Sequence, residues 1–119
     1  MKSDKIYILH IIDSMDQINE YTAQISPEEF KENRLIQDAV VRNFEIMGEA
    51  AKNVSNQTRE KYSQIPWKNM AGMRDKLIHN YMGVDLDAVW NTIHDIIPSM
   101  RIKVAEVVRS IEEENSGMQ

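Results

Sequence analysis

The sequence predicts an all-α fold, an antiparallel four-helix bundle with one short extra helical turn, and three observations carry that prediction. Apolar residues recur at three and four positions along almost the whole chain and nowhere alternate with period two for long. Helix-start signals stand ahead of the apolar stripes, at Ser26-Pro27-Glu28-Glu29, at Pro66 and at Asp85. Finally, 119 residues without a cysteine suffice for one domain that buries roughly two thirds of its unfolded surface with no disulfide to staple it.

The first helix runs from residue 4 to about residue 24, because Ile8, Ile11, Ile12, Met15, Ile18 and Thr22 form one stripe. Ser26 caps the second, Pro27 takes its first position and Glu29 completes a capping box. That helix is expected to continue unbroken to residue 54, with Phe30, Ile36, Val40, Phe44, Met47, Ala51 and Val54 on its buried face. Residues 55 to 65 turn polar, with one helical turn at 58 to 63. A third helix opens at Trp67 and stops at Gly83, which suits a left-handed terminus. Asp85 caps a fourth, whose stripe from Leu86 through Val89, Trp90, Ile93 and Ile97 to Ile111 passes across Pro98. Proline cannot donate to the carbonyl of residue 94, so a kink is expected there. The helical domain thus spans residues 1–111; in the tail, 112–119, Glu112, Glu113 and Glu114 sit at a helix C-terminus that disfavours acid, and it is expected to fray.

A net charge of −5 argues against a protein that coats nucleic acid through a broad basic surface. It leaves room for a focused basic cleft, since Arg42, Arg59, Lys61, Lys68, Arg74 and Lys76 fall in the middle of the chain. Lys2 and Lys5 precede the apolar stretch Ile6 to Ile12, yet His10 interrupts it, Asp13 ends it and no small-residue cleavage site follows. With no run near the roughly 20 apolar residues of a membrane span, the reading is a soluble cytoplasmic protein.

The chemistry concentrates in Arg74-Asp75-Lys76-Leu77-Ile78-His79-Asn80-Tyr81, an R-x4-H-x-Y arrangement. Arginine grips a phosphate with a planar, permanently charged fork and histidine moves protons near neutrality, which together suit phosphodiester cleavage without a metal. On an ideal helix Arg74 and Tyr81 lie within about 20° of one another, Asp75 can orient His79 from four residues away, and His79 stands about 140° from Arg74. Internal attack of an RNA 2′-hydroxyl needs both a base and an acid. One chain supplies one such histidine, because His10 and His94 read as local packing or capping features; two copies around a two-fold axis would bring two Arg74 and two His79 to one cleft. Beside this stands a bland reading, in which the polar cluster is a solvated face, Tyr81 an interfacial aromatic, and Arg42, Glu45 and Glu49 an intrahelical ion-pair ladder. Glu45 and Glu49 alone make a poor metal site, so none is expected. Gly48 permits a close helix contact, and the eight methionines read as core filler.

The segments Ile65-Pro66-Trp67, Ala71-Gly72-Met73-Arg74 through Tyr81, Gly83-Val84-Asp85 and Val89-Trp90, together with Arg42-Asn43-Phe44-Glu45 through Gly48-Glu49-Ala50-Ala51, closely resemble the HepT-like branch of the HEPN superfamily. The resemblance covers about residues 4 to 110. It implies a homodimeric helical bundle with the R-x4-H motifs meeting at the dimer cleft. It further implies a metal-independent endoribonuclease, the toxin of a type VII-like HEPN/MNT toxin-antitoxin system whose MntA-like nucleotidyltransferase antitoxin uses ATP and Mg. By the same resemblance Arg74 and His79 match the catalytic pair, Asp75 the supporting polar residue, and Tyr81 the tyrosine that accepts AMP. Lys76, Asn80, Arg42 and Glu45 are the further cleft residues; the RNA substrate, tRNA or mRNA, is left open, cleavage takes no cofactor, and no membrane is involved. A second reading makes the chain a non-catalytic helical partner of a minimal nucleotidyltransferase. A third, a nucleotide-transfer subunit, lacks a Gly-Ser motif or carboxylate triad to support it.

Overall fold

A computed structural model describes residues 2–77 and 83–117, with all their side chains except those of Lys2, Ser3 and Arg74. The fold is all-helical, as predicted. Helix α1 spans Lys2–Thr22 and α3 spans Arg34–Asn53. They run antiparallel, since Asp4 at the start of α1 meets Ser55 just beyond the end of α3, with 2.9 Å from Ser55 N to Asp4 Oδ1. Helix α8, Ile97–Gly117, packs on the other side of α1, also antiparallel: Arg101 near its start forks onto both carboxylate oxygens of Asp16 at 2.6 and 3.1 Å. Ile8, Ile11, Met15 and Ile18 of α1, Val40, Phe44, Met47 and Ala51 of α3, and Val104, Val107 and Ile111 of α8 fill the core between them. No helix among the described residues is long and apolar enough to cross a membrane.

The second predicted helix is broken in two. A short α2, Pro27–Glu32, ends at Asn33, whose extended backbone starts a new helix. Three local bonds cause the break: Asn33 Oδ1 accepts from Ile36 N at 3.0 Å, and Gln37 Nε2 donates to the terminal carbonyls of Phe30 and Lys31 at 2.9 and 3.0 Å. Asn33 thus caps α3 more favourably than it would sit inside a continuous helix. The Ser26 cap is as predicted, its Oγ accepting from Glu29 N at 3.1 Å.

The polar stretch after α3 holds α4, Asn56–Lys61, capped by Ser55. Arg59 closes the end of α3, its Nη2 donating to the carbonyls of Ala51 and Lys52 at 2.9 and 2.7 Å. The third predicted helix is also interrupted: α5, Trp67–Ala71, gives way at Gly72 to α6, Met73–Leu77. Both pack on α3, where Gly48 allows the close approach; a Cβ there would stand 3.2 Å from the Ala71 carbonyl oxygen. Gly83 has the expected left-handed backbone, φ 87°. Asp85 caps α7, Leu86–Asn91, by accepting from Ala88 N at 3.1 Å.

The kink expected at Pro98 takes the form of a π-helical turn, Thr92–Ile96, directly before α8. Widening the turn lets the Ile97 N–H reach Thr92 O, which absorbs the donor that Pro98 lacks without breaking the axis. His94, exposed on this turn, packs against Trp90 in a tilted ring contact with centroids 4.3 Å apart, and Trp90 in turn tilts against buried Phe30 at 5.4 Å. The tail expected to fray from Glu112 is instead helical to Gly117. Glu114 accounts for it: its carboxylate pairs with Lys61 and accepts from the Tyr62 hydroxyl at 3.3 Å, fastening the last turns of α8 to the end of α4.

Candidate functional site

The R-x4-H-x-Y motif begins on α6 and runs into residues 78–82, so His79, Asn80 and Tyr81, and the Arg74 side chain, lie outside the described residues. What flanks them is fixed by backbone bonds. Gly72 O accepts from Asp75 N at 3.1 Å and from Lys76 N at 3.3 Å, which starts α6 immediately after the Gly48 contact. Across the motif, Asp85 N donates to Leu77 O at 2.9 Å. The two ends of the motif are therefore tied to each other and, through buried Leu77 and Met73, to the core.

Asp75 opens onto a cavity of about 520 Å³ cut between α1 and α3. Arg42 and Glu45 of α3, both named from the sequence, line the same cavity, so three of the predicted site residues come together. Lys76 does not join them. One residue further round α6 it borders a separate apolar pocket of about 160 Å³ with Met73, Ile96 and Met100, as the 100° step of a helix requires. Arg42, Glu45, Glu49 and Lys52 all line the larger cavity; at intervals of three, four and three they form one stripe of α3 facing it. The line read as an ion-pair ladder also forms one wall of a cleft.

Sequence reasoning missed the opposite wall, which α1 supplies through Tyr7 and His10. His10 is exposed, not packed away. The apolar stretch around it was misleading because two of its members, Ile6 and Leu9, are themselves 53% and 42% exposed. A signal was present: the buried stripe Ile8, Ile11, Met15 and Ile18 leaves position 10 about 80° or more outside it on a helical wheel. Among the described residues no three His, Asp or Glu side chains are grouped to hold a metal.

The arrangement offers a polar cleft with cations, carboxylates and two flat rings, bordered by the motif's acidic residue. It suits a ligand that carries both phosphate and hydrogen-bond donors. A family model described as ribonuclease HepT-like matches residues 11–107. The candidate RNase MJ1216 of Methanocaldococcus jannaschii is 44% identical over 114 residues, 94% of this chain and 94% of that protein. The probable ribonuclease HepT of Thermococcus cleftensis is 43% identical over 102 residues, 86% of this chain and 93% of its own length. A gamma-glutamylcyclotransferase and candidate RNase of M. jannaschii, MJ0434, is 40% identical over 116 residues, and there this chain spans only 52% of the relative. No solved structure matches.

Proposed function

Because this chain belongs to the HepT-like ribonuclease family, we propose that it is a metal-independent endoribonuclease and the toxin of a type VII-like HEPN/MNT pair. The observation that supports this most is that Asp75, next to Arg74 in the motif, shares one cavity with Arg42. The motif therefore borders a cleft with a phosphate-binding side chain, which a merely solvated helix face would not need. In the proposed reaction the 2′-oxygen bonds to the adjacent phosphorus as the bond from phosphorus to the 5′-oxygen breaks. A base takes the 2′-hydroxyl proton, an acid supplies one to the leaving oxygen, and Arg74 neutralises the phosphoryl oxygens. His79 moves the protons and Asp75 sets its orientation. The products are a 2′,3′-cyclic phosphate and a 5′-hydroxyl.

In the same reading the partner is an MntA-like nucleotidyltransferase that transfers AMP from ATP, with Mg, to Tyr81. The added bulk and negative charge beside Arg74 and His79 would repel RNA. The test is cleavage of RNA by the purified protein in EDTA, with product ends identified by mass spectrometry. Cyclic phosphate ends are expected, and Arg74→Ala and His79→Ala should each abolish cleavage and growth inhibition while keeping the helical circular-dichroism spectrum. Full activity of either variant at equal protein level would overturn the assignment and favour the non-catalytic partner.

A further inference from the structure

We propose that the cavity between α1 and α3 is a subsite for one unpaired nucleotide beside the scissile bond, with Tyr7 and His10 holding the base and the α3 stripe reading it. This rests on the ribonuclease reading and names what that site selects. The cavity's volume of about 520 Å³ lies within the roughly 300–1,000 Å³ of pockets that enclose a small molecule. It has room for a nucleotide and none for a duplex. Its walls divide by chemistry. On α1, Tyr7 and His10 are three residues apart and face the cavity together, which gives two flat rings suited to stacking on a base. On α3 the stripe reads Arg42, Glu45, Glu49, Lys52, a cation at each end and two carboxylates between. Ten residues separate the cations, about 15 Å along the helix, so their long side chains must lean toward each other to meet the phosphates on either side of a base that lies over the carboxylates.

The same arrangement explains how a protein of net charge −5 binds RNA at all. Two cations engage about two phosphates, and stacking supplies the rest of the affinity. The carboxylates add a preference. A carboxylate accepts hydrogen bonds and donates none, so it favours adenine, cytosine and guanine, which carry exocyclic amino or amidine donors, over uracil.

Cleavage kinetics on single-stranded oligonucleotides, with cut sites mapped by sequencing, test this. Tyr7→Ala and His10→Ala should each lower kcat/KM by about tenfold, the order of one lost stacking contact. Tyr7→Phe and His10→Phe, which keep a ring, should recover most of it. A structural role would not be rescued this way. Glu49→Gln should raise cutting beside uracil relative to the other bases, and the logarithm of affinity should fall with the logarithm of salt at a slope of only about −1.4. Nuclear magnetic resonance supplies a readout independent of cleavage: adenosine 3′-monophosphate should shift the His10 and Tyr7 ring signals more than uridine 3′-monophosphate does. If the wild type cuts RNA but neither ring responds and both alanine variants cut at wild-type rates, the subsite is refuted and the ribonuclease reading stands. If the wild type cuts no RNA yet the rings respond to the nucleotide, the ribonuclease reading fails and the nucleotide site remains.

Discussion

Asp4 is 2% exposed and accepts three hydrogen bonds, from Ser55 N, Ser55 Oγ and Thr58 Oγ1 at 2.9, 2.7 and 2.6 Å. Burial alone would push its carboxyl up, but the Ser55 and Thr58 bonds together outweigh burial and hold it below its ordinary 3.8. A carboxyl lowered on folding stabilises the folded state above its unfolded value, and that contribution is lost as pH falls through the folded value. Asp4→Ala should therefore cost about 2 kcal/mol at neutral pH by denaturant titration, and the gap from wild type should close below about pH 4. An unchanged gap at pH 3 would show that packing, not charge, carries the effect. The Lys61–Glu114 pair gives the contrast. Its side chains are 54% and 47% exposed, so solvent and salt screen it, and Glu114→Ala should leave the melting temperature nearly unchanged while loosening the end of α8. At Tyr81 the expectation is chemical. A phenol is a poor base at neutrality, so Tyr81→Phe should keep most cleavage activity. It should nonetheless escape neutralisation by the proposed partner nucleotidyltransferase with ATP and Mg, as growth assays and intact-mass measurement would report; AMP on another residue would defeat this.

Among the elements, the junction of α5 and α6 decides where the motif stands, and Gly48 decides where that junction stands. A Cβ at Gly48 would lie 3.2 Å from the Ala71 carbonyl oxygen, a backbone atom that moves only if α5 moves. Alanine gains about 1 kcal/mol of helix propensity over glycine, while overpacking costs about 1–3 kcal/mol. The two nearly cancel, so Gly48→Ala should change stability by no more than about 1 kcal/mol yet lower cleavage about tenfold or more, because a shift of about 1 Å at a positioning element is felt at the reacting atoms. Equal losses in stability and activity would reduce Gly48 to ordinary packing. Much of this architecture could be read from local signals: the caps at Ser26 and Asp85 and the left-handed Gly83 depend on a few adjacent residues. The breaks at Asn33 and Gly72 were hidden because a continuous apolar stripe runs through each and outweighs one polar or small residue in a periodic reading. The end of α8 was misjudged for another reason. Its Glu114 finds partners 53 and 52 positions away, which no helix-terminus rule can anticipate. The cleft lies further still from the sequence, since it exists only once α1 and α3 pair in antiparallel register.

At the scale of the whole molecule, the chain is more extended than its mass warrants. A compact monomer of 13.9 kDa would expose about 6,700 Å², whereas this one exposes 7529 Å². Its radius of gyration is 15.2 Å against about 13.5 Å expected for its length. Ile6, Leu35 and Ile102, 53%, 80% and 62% exposed, add to the apolar part of that surface. The motif supplies a reason for a second copy to matter, because Arg74 and His79 stand about 140° apart on an ideal helix and serve one phosphate more readily across a two-fold axis than from one chain. Light scattering should therefore give a dimer at micromolar concentration. The decisive measurement mixes an Arg74→Ala protomer with a His79→Ala protomer. If the cleft is shared, a mixed dimer still brings one Arg74 and one His79 to it, and because only half the dimers of a random 1:1 mixture are mixed, part of the activity should return but well below the wild-type level, although either variant alone is inactive. If each chain carries its own complete site, both sites of the mixture are damaged and no activity returns. An active monomer, or a mixture as dead as its components, would place the chemistry within one chain.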